Sequence, residues 1–385
     1  MDLAFLTPLL DRPGPWATVY LDTSHTTEDA VRRRALIDRA AVHRLAEAGA
    51  DEATCGAVRD HLAAEPASGS PPGRALFAAD GEVALDVPLA VSPPDVTATW
   101  APLPHTGPLV GLVDDNAPTC LVAAIDRTGA TLERHELGRR ARIDTVDTPQ
   151  WQGRGHRAPP ADRYEWHYRH RVEDTWDRTA AVIADHLARA WPQSDARLLV
   201  LTGDARERRA VHDRLPRPLQ ALTVELDGGA RGAGATGEAF DRRLAEAWDD
   251  HRGRHLAEVL DAYHAAVGRP GGQGTDAAGI RTAAGPAAQG IPAVVSAAQQ
   301  HQLAALLLQP SGHDPERPVW TGPEPDHIGV HRADLRGMGV AHPAQAPAAD
   351  ALLRTAAASG AEALVVPDAL PGPPGGLGAL LRWAA

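Results

Sequence analysis

Apolar and polar positions alternate along this chain in patterns that predict successive α/β regions. In the first region, apolar runs bounded by turn residues predict strands, and stretches with a 3.6-residue period predict helices. These elements are a strand at 16–22, helices at 28–48 and 51–64, and strands at 74–78 and 82–87. Asp80-Gly81, between the last two strands, is typical of a hairpin turn. Proline-rich sequence from 93 to 108 then indicates a domain boundary.

The second region carries the strongest helical pattern of the chain. Asp162, with Glu165 three residues later, matches the capping box of a helix start. The apolar face that follows comprises Val172, Trp176, Ala180, Ile183, Leu187 and Trp191. The other predicted elements are a hairpin at 120–137, a strand at 197–202, a helix at 204–215, a strand at 219–226 and a helix ending near 267. This order predicts an RNase H-like α/β fold.

A Gly- and Ala-rich segment from 268 to 285 introduces the third region. Its predicted elements are helices at 287–300 and 348–359 and strands at 303–308 and 363–366. The sequence therefore predicts an α/β protein of three domains. They are an N-terminal α/β domain at 1–104, an RNase H-like middle domain at 105–267 and a C-terminal α/β domain at 268–385.

Composition narrows the classes of function. No apolar run approaches the roughly 20 residues that cross a bilayer, and the first residues do not form a signal peptide, which predicts a cytoplasmic protein. The net charge of −12 argues against a protein that coats nucleic acid non-specifically. All 38 basic side chains are arginine, which mainly reflects a GC-rich genome. Cys55 and Cys120 lie in apolar contexts without CxxC spacing and are predicted to be buried, reduced thiols.

Charge is distributed differently around the central helix. Residues 151–178 contain six Arg and three His against five acidic residues, so this segment is mildly basic within an acidic protein. A loop rich in Gly, Arg and Pro, with Gln150 to Arg157 at its centre, leads directly into the helix. The first turns of the helix carry basic positions that a core face does not explain: Arg163, His167, Arg169, His170 and Arg171. They are either a solvated helix face or a surface for an RNA backbone, and salt-dependent binding separates these alternatives.

Other candidate sites have weaker support. His251 and His255 lie four residues apart on a predicted helix, but HxxxH alone is a weak zinc signal, and surface histidines are favoured. Asp126 lies in a turn where Asp is expected, so the sequence shows no convincing carboxylate set for a metal-dependent nuclease. A Ser/His hydrolase is disfavoured as well, because no nucleophile elbow or paired acid accompanies Ser24 and His25.

Three segments and the three-part order together resemble a known family. The segments are GPWATVYLDTSH at 14–25, ADHL at 184–187 and GLGALLRW at 376–383. The resemblance covers essentially the whole chain and is to the bacterial relatives of the archaeal and eukaryotic release factors and Pelota. Within that group it is to the actinobacterial branch with the Balon-like ribosome hibernation factors. It implies an RNase H-like middle domain and a C-terminal module similar to kink-turn-binding ribosomal proteins.

The resemblance also implies roles for the central loop. In that superfamily the loop enters the peptidyl-transferase centre, and in true release factors it bears a GGQ whose Gln positions water against the peptidyl-tRNA ester. Here the loop reads Gln152-Gly153-Arg154-Gly155-His156, without the diglycine-Gln, as expected of the non-hydrolytic hibernation branch. The residues implied to contact ribosomal RNA are Gln150, Trp151, Gln152, Gly153, Arg154, Gly155, His156 and Arg157. In this interpretation Arg154 and Arg157 bind phosphates, and Trp151 stacks on a base.

A literal GGQ, Gly271-Gly272-Gln273, lies in the segment after the last middle-domain helix, and we interpret it as chance linker sequence. If the protein is instead a peptidyl-tRNA hydrolase, Gln152 is the candidate catalytic residue and Gln273 its rival.

The implied partner is the ribosome, through ribosomal RNA at its A site. The first domain, with Ser24 and His25, would lie near the decoding centre, and the third near the stalk base or elongation factor Tu. No cofactor, metal ion, membrane or DNA is expected. A stress-linked protein that kept the fold but lost the ribosome is a further alternative, which the acidic net charge favours mildly.

Overall fold

The computed structural model describes residues 1–10, 12, 14–23, 28–64, 72–113, 119–136, 139–147, 164–228, 237–268 and 287–383, with only the main chain at 28–33, 136, 139 and 164–176. The chain forms two compact units. Unit 1 comprises Met1–Asp114 and Arg254–Ala385, and unit 2 comprises Asp115–Gly253. Unit 1 thus contains both the first and the third predicted domains, and the predicted domain limits at 104 and 267 stay a prediction. Within the described ranges, no helix is long and apolar enough to cross a membrane.

The first part of unit 1 is a four-stranded antiparallel sheet with short and long helices. Its helices are α1 (Thr7–Leu10), α2 (Glu28–Glu47), α3 (Glu52–Ala63) and α4 (Leu109–Leu112), and its strands are β1 (Trp16–Asp22), β2 (Gly73–Ala79), β3 (Glu82–Leu89) and β4 (Thr97–Ala101). The strand order is β3-β2-β1-β4. Asp80 and Gly81 both adopt positive φ, as the hairpin turn predicted between β2 and β3 requires.

The middle of the chain supplies a second sheet and the longest helices. These elements are β5 (Cys120–Asp126), β6 (Gly129–Glu136), β7 (Arg139–Asp147), α5 (Tyr164–Ala190), β8 (Leu198–Gly203), α6 (Ala205–His212), α7 (Arg217–Ala221), β9 (Thr223–Leu226) and α8 (Glu238–Val267). The strand predicted at 219–226 is wrong in its first part. Pro218 lies in the first turn of α7, where its fixed φ favours a helix, so the strand begins only at Thr223.

The rest of unit 1 holds a mixed sheet and a small antiparallel sheet. These elements are β10 (Ala287–Gln289), α9 (Gly290–Gln299), β11 (Leu303–Leu308), β12 (Pro318–Thr321), β13 (Ile328–Gly329), α10 (Arg332–Gly337), β14 (Ala344–Pro347), α11 (Ala348–Ser359), β15 (Glu362–Val365) and β16 (Leu377–Leu381). The sheet orders are β10-β16-β11-β15 and β13-β12-β14. The predicted mixed α/β class is confirmed.

Strand β1 shows how the chain fills unit 1. Its side chains alternate between two cores, because successive residues of a strand point to opposite faces of the sheet. Val19 and Leu21 pack with α2 and α3, whereas Trp16 and Tyr20 belong to a larger cluster that continues into α9, β11 and α11. The strand is therefore buried on both faces and has an almost continuous apolar sequence.

A polar contact joins residues 105–107 to α11 inside unit 1. The carboxylate of Asp350, only 2% exposed, accepts hydrogen bonds from His105 Nδ1 at 2.9 Å and from the Gly107 N–H at 2.7 Å. The Tyr20 hydroxyl donates to the His105 carbonyl at 2.6 Å, and the His105 N–H donates to Thr18 Oγ1 at 3.0 Å. Every polar group named here thus has a partner, as burial requires.

Unit 2 is a five-stranded sheet with helices on both faces. The order is β7-β6-β5-β8-β9; β5, β8 and β9 are parallel, and β6 is antiparallel to both β5 and β7. Leu121, Ala123 and Ile125 of β5 pack on α5 and α6, while Cys120 and Val122 pack with α8. Both cysteines are free and buried, as predicted.

Candidate functional site

The predicted loop, Gln150 to Arg157, and the helix residue Arg163 lie outside the described residues, as do Ser24, His25 and the GGQ at 271–273. The remaining predicted helix residues are His167, Arg169, His170 and Arg171, which lie on α5 where only the main chain is described. Their proposed roles stay predictions. The structure does describe the part of unit 2 to which the loop is attached, namely β7 before the loop, α5 after it and the neighbouring strands of the sheet.

The loop leaves the sheet at one particular edge. Asp147, the last residue of β7, lies opposite Gly129, and Gly129 pairs with Asp126 at the end of β5. The adjacent parallel strand β8 ends at Gly203, which pairs with Ile125. The chain therefore enters the loop beside the carboxyl ends of the parallel strands, the edge at which open α/β sheets bind their ligands.

The turn between β5 and β6 is held by Asp126. One carboxylate oxygen accepts from the Thr128 N–H at 2.7 Å, the Thr128 hydroxyl at 2.6 Å and the Gly129 N–H at 3.0 Å. This is the local pattern for which Asp is favoured in turns. The part of the chain that the structure describes holds no group of three or more His, Cys, Asp or Glu that could bind a metal ion.

An acidic pair lies at the start of α6, on the same edge. Asp204 caps the helix by accepting from the Arg206 N–H at 2.9 Å, and Glu207 is only 8% exposed. Burial, together with the hydrogen bond to Asp204, raises the pKa of Glu207. The pKa of Asp204 is lowered by that same hydrogen bond and by the Arg206 N–H. A proton shared by the pair therefore favours Glu207.

Next to this pair lies a cavity of about 200 Å³ with an apolar floor and a charged rim. Ile125, Ile183 and Val211 contribute to the floor, and Arg127 lies at the rim with its Nε 3.5 Å from Glu207 Oε1. The lining contains both acidic and basic side chains: Asp126, Asp177, Glu207, Arg127 and Arg206. The carboxylates of Asp204 and Glu207 can hold a proton and accept hydrogen bonds at this edge of the sheet.

A buried arginine fixes the ends of β8 and β9. The Arg208 guanidinium donates to the Gly203 carbonyl at 2.9 Å, to the Leu226 carbonyl at 2.7 Å and to Asp227 at 2.7 Å. These charge-assisted bonds satisfy carbonyls at the same edge from which the loop emerges. Arg208 therefore holds together the ends of β8 and β9 at the edge of the sheet where the loop is attached.

The edge strand β7 is fastened to α5, the helix that follows the loop. Asp144 accepts from His186 Nε2 at 2.8 Å, and Val146 is buried in the core that contains Ile183 and Leu187. The Thr145 N–H and His186 lower the pKa of Asp144. Both chain segments that flank the loop thus pack on the same core, which suits a loop that must be presented by a stable support.

Sequence reasoning missed parts of this site. The spacing Asp204-x-x-Glu207 is a capping-box signal and could have identified the acidic pair. His255, interpreted as a surface histidine, pairs with Glu362 in unit 1 at 3.0 Å. The hydrogen bond and the charge of Glu362 raise the pKa of His255, whereas burial acts to lower it.

Comparison with known proteins finds a family match for the middle of the chain. Residues 119–269 match the model of bacterial archaeo-eukaryotic release factor family 2. The uncharacterized protein Rv2629 of Mycobacterium tuberculosis (strain ATCC 25618 / H37Rv) is 28% identical over 385 residues. That similarity covers 98% of this chain and 96% of the relative.

Solved structures are more distant. The archaeal translation termination factor aRF1 is 16% identical, with coverage of 99% of this chain and 97% of that chain and a TM-score of 0.24. Dom34 of S. cerevisiae, a translation termination-like factor, is 10% identical, with coverage of 69% and 63% and a TM-score of 0.37. The family match spans β5 to α8, the segment that contains the loop, and over these residues the chain is similar to the bacterial relatives of the archaeal and eukaryotic release factors.

Proposed function

We propose that the protein is a ribosome-binding factor of the release factor and Pelota superfamily. It occupies the A site of idle or stalled ribosomes, as in hibernation or translation stress, and does so without hydrolysis. The observation that carries the proposal is the family match over residues 119–269, which includes the whole loop and both elements that flank it.

The contacts that hold the elements around the loop support this function. An inserted loop needs a support whose own geometry does not yield when the loop enters a partner. Asp144 with His186 fastens β7 to α5, and Arg208 fastens the ends of β8 and β9. The loop sequence supplies arginine for phosphate contacts and Trp151 for stacking on a base.

The finer fold assignment is part of the proposal. The order β7-β6-β5-β8-β9, with β6 antiparallel to its neighbours, supports an RNase H-like middle domain. The mixed sheet β10-β16-β11-β15 supports a C-terminal α/β module similar to kink-turn-binding ribosomal proteins. In this arrangement the N-terminal domain, with Ser24 and His25, faces the decoding centre, and the C-terminal domain faces the stalk base or elongation factor Tu.

The second candidate is a peptidyl-tRNA hydrolase that releases peptide chains or rescues stalled ribosomes. It needs a residue that orients water at the ester. Gln152 stands at the corresponding place, but it precedes Gly153 and is not preceded by two glycines. The loop sequence therefore favours occupancy over hydrolysis.

Co-sedimentation tests the proposal. Purified protein is centrifuged with vacant ribosomes and with ribosomes carrying peptidyl-tRNA, across a salt series. We expect pelleting with vacant ribosomes, weakened by salt and abolished when residues 150–157 are replaced by a Gly-Ser linker. If nothing pellets at low salt, ribosome binding is refuted. If labelled peptide appears in the supernatant, the hydrolase is correct, and Gln152→Ala should stop the release.

A charge-matched pair of variants sharpens the test. Arg154→Ala with Arg157→Ala should reduce the slope of log affinity against log salt by about 1–2, because a variant that makes fewer phosphate contacts releases fewer counterions on binding. The control is Arg242→Ala with Arg252→Ala on α8, which removes the same charge elsewhere in the unit. An equal loss in both double variants would show that net charge alone, and not the loop, determines binding.

A further inference from the structure

Unit 1 contains a cleft of about 540 Å³ that the proposed function does not use. One wall is formed by parts of segments 9–16 and 102–104. The other is formed by parts of 321–327 and 339–344 and by Arg354 of α11. A volume of this size lies within the range of small-molecule sites, about 300–1,000 Å³.

The charges that line the cleft have one sign. The described lining includes Arg12, His327, His342 and Arg354 but neither Asp nor Glu. The chain as a whole has a net charge of −12, so an acid-free cleft departs from the character of the protein. A cavity lined with one sign of charge concentrates ligands of the opposite sign.

Arg354 is one of the two arginines in the described lining of this cleft. Its guanidinium donates to the backbone carbonyls of Gly322 at 2.9 Å, Glu324 at 3.2 Å and Pro323. Among the described residues it forms no salt bridge, whereas Arg12 pairs with Glu82 at 2.8 Å. Burial lowers the pKa of Arg354, which the more distant charges of Glu324 and Asp326 oppose.

A desolvated cation without a contacting anion is costly, and carbonyl dipoles compensate it only in part. A guanidinium has five N–H donors. The three carbonyl contacts use three of them, which leaves two that the described residues do not engage. An anion entering the cleft would therefore meet both a charge and donors that lack a negative partner.

His327 supplies a further donor on the same wall. Its Nδ1 accepts a hydrogen bond from the Glu324 N–H at 3.3 Å. A ring nitrogen that accepts is unprotonated, so the proton of the neutral ring lies on Nε2. His327 can thus donate through Nε2 to a ligand in the cleft without first taking up a proton.

The walls are closely packed, which makes the cleft a preformed site. A Cβ at Gly322 would lie 2.9 Å from both His327 Cβ and Val340 Cγ2. On the opposite wall, a Cβ at Gly14 would lie 2.2 Å from the Pro102 carbonyl oxygen. Glycine is required at both positions by close approach of the backbone.

We propose that this cleft binds a small organic anion, a carboxylate or a phosphate monoester carried on an apolar body. Arg354, His327 and His342 hold the anionic group, and Leu9, Leu103 and Val340 contact the apolar part. The proposal does not depend on ribosome binding.

Calorimetric titration tests the proposal with three probes of similar size. Phenyl phosphate and benzoate represent the two anions, and benzylamine is the matched cation. We expect one site per chain for at least one anion and no binding of benzylamine. A preference for phenyl phosphate identifies a phosphate ester as the natural class, and a preference for benzoate identifies a carboxylate. Failure of both anions to bind, or equal binding of benzylamine, overturns the proposal.

Variants locate the site. His327→Gln with His342→Gln keeps the fold, because the glutamines fit where the rings are partly exposed, and should weaken anion binding by at least about tenfold. The control is His313→Gln, whose side chain is 76% exposed and lies outside the lining. Arg354→Lys retains the charge but loses the fork and should weaken binding as well. Unchanged affinity in both the double histidine variant and Arg354→Lys would place any anion site elsewhere and overturn the proposal.

Discussion

Replacing Asp350 with alanine should be among the most destabilising changes in unit 1. The carboxylate is 2% exposed and accepts from His105 Nδ1 at 2.9 Å and from the Gly107 N–H at 2.7 Å. Alanine leaves both donors without this acceptor in a buried place. The lost contacts belong to segment 105–107, which Thr18 and Tyr20 also hold through hydrogen bonds to the backbone of His105.

The magnitude follows from the type of contact. Removing one partner of a buried charged pair costs about 3–5 kcal/mol, because the other is left buried and uncompensated. For a unit of this size each kcal/mol shifts Tm by about 2–4 °C, so Asp350→Ala should lower Tm by roughly 6–20 °C. Asp350→Asn keeps one acceptor oxygen and the shape, and should cost about 1–3 kcal/mol.

The pH dependence provides a second test of the same contact. Burial opposes protonation of His105, but the hydrogen bond and charge of Asp350, aided by Glu316, raise its pKa above 6.5. The folded state therefore binds this proton more tightly than the unfolded chain. The resulting stability is fully present below the unfolded pKa and is lost as the pH rises through the folded pKa. Asparagine removes this effect.

Differential scanning calorimetry of both variants measures these effects. The stability difference between the wild type and Asp350→Asn should be largest near about pH 6 and smaller near about pH 8. Asp261→Ala, an exposed position on α8, is the control and should change Tm very little. The reasoning is refuted if Asp350→Ala costs less than about 1 kcal/mol, or if the Asp350→Asn difference grows as the pH rises.

Four further predictions concern unit 2. Gly203→Ala should destabilise by about 3 kcal/mol or more in urea unfolding, because φ is +117° and the new Cβ would lie 1.9 Å from the Ile125 carbonyl oxygen. Gly253→Ala, within α8 and with nothing within 4 Å, should instead stabilise by about 0.5–1 kcal/mol. Burial and the capping carboxylate of Asp204 raise the pKa of Glu207 in the folded state, so the wild type should lose stability as the pH rises above 4.5. Glu207→Gln should abolish this loss, and an unchanged pH profile would contradict the prediction. Burial raises the pKa of Cys120 to about 12, so iodoacetamide should modify it only in denaturant, as peptide mass spectrometry would show.

The sequence predicted those elements whose own residues determine them. Strand β1 is almost continuously apolar because both its faces are buried, and the turn between β2 and β3 carries the Asp-Gly pair that positive φ requires. On α5, the predicted apolar positions Ala180, Ile183 and Leu187 are indeed buried. Local chemistry and the tertiary structure agree at these places.

Strand β7 could not be predicted in the same way. Its sequence, RRARIDTVD, lacks an apolar alternation because the strand lies at the edge of its sheet, and Val146 is its buried residue among those whose side chains are described. Only pairing with β6 makes it a strand. The contact of His105 with Asp350 joins positions 245 residues apart, which no local pattern reports. Edge strands and long-range polar contacts therefore escape sequence reasoning.

The features of the candidate site differ in the same way, since some follow from local sequence and others only from the tertiary structure. The spacing of Asp204 and Glu207 is a local signal, whereas the place where Asp147 leaves the sheet beside Asp126 follows from strand register. The functional roles proposed for Gln150 to Arg157 rest on resemblance to a family, because no periodicity indicates what a loop binds.

The division of the chain into units sets an order for folding during synthesis. Unit 2 is continuous from Asp115 to Gly253, whereas unit 1 needs both Met1–Asp114 and Arg254–Ala385. Unit 2 can thus complete its core once its last residue has left the exit tunnel, since domains fold as units during translation. The larger cluster around Tyr20 must wait for α11 and β16. The nascent N-terminal sheet therefore carries an uncovered apolar face until these elements have been synthesised, and that interval is when we expect this chain to need a chaperone.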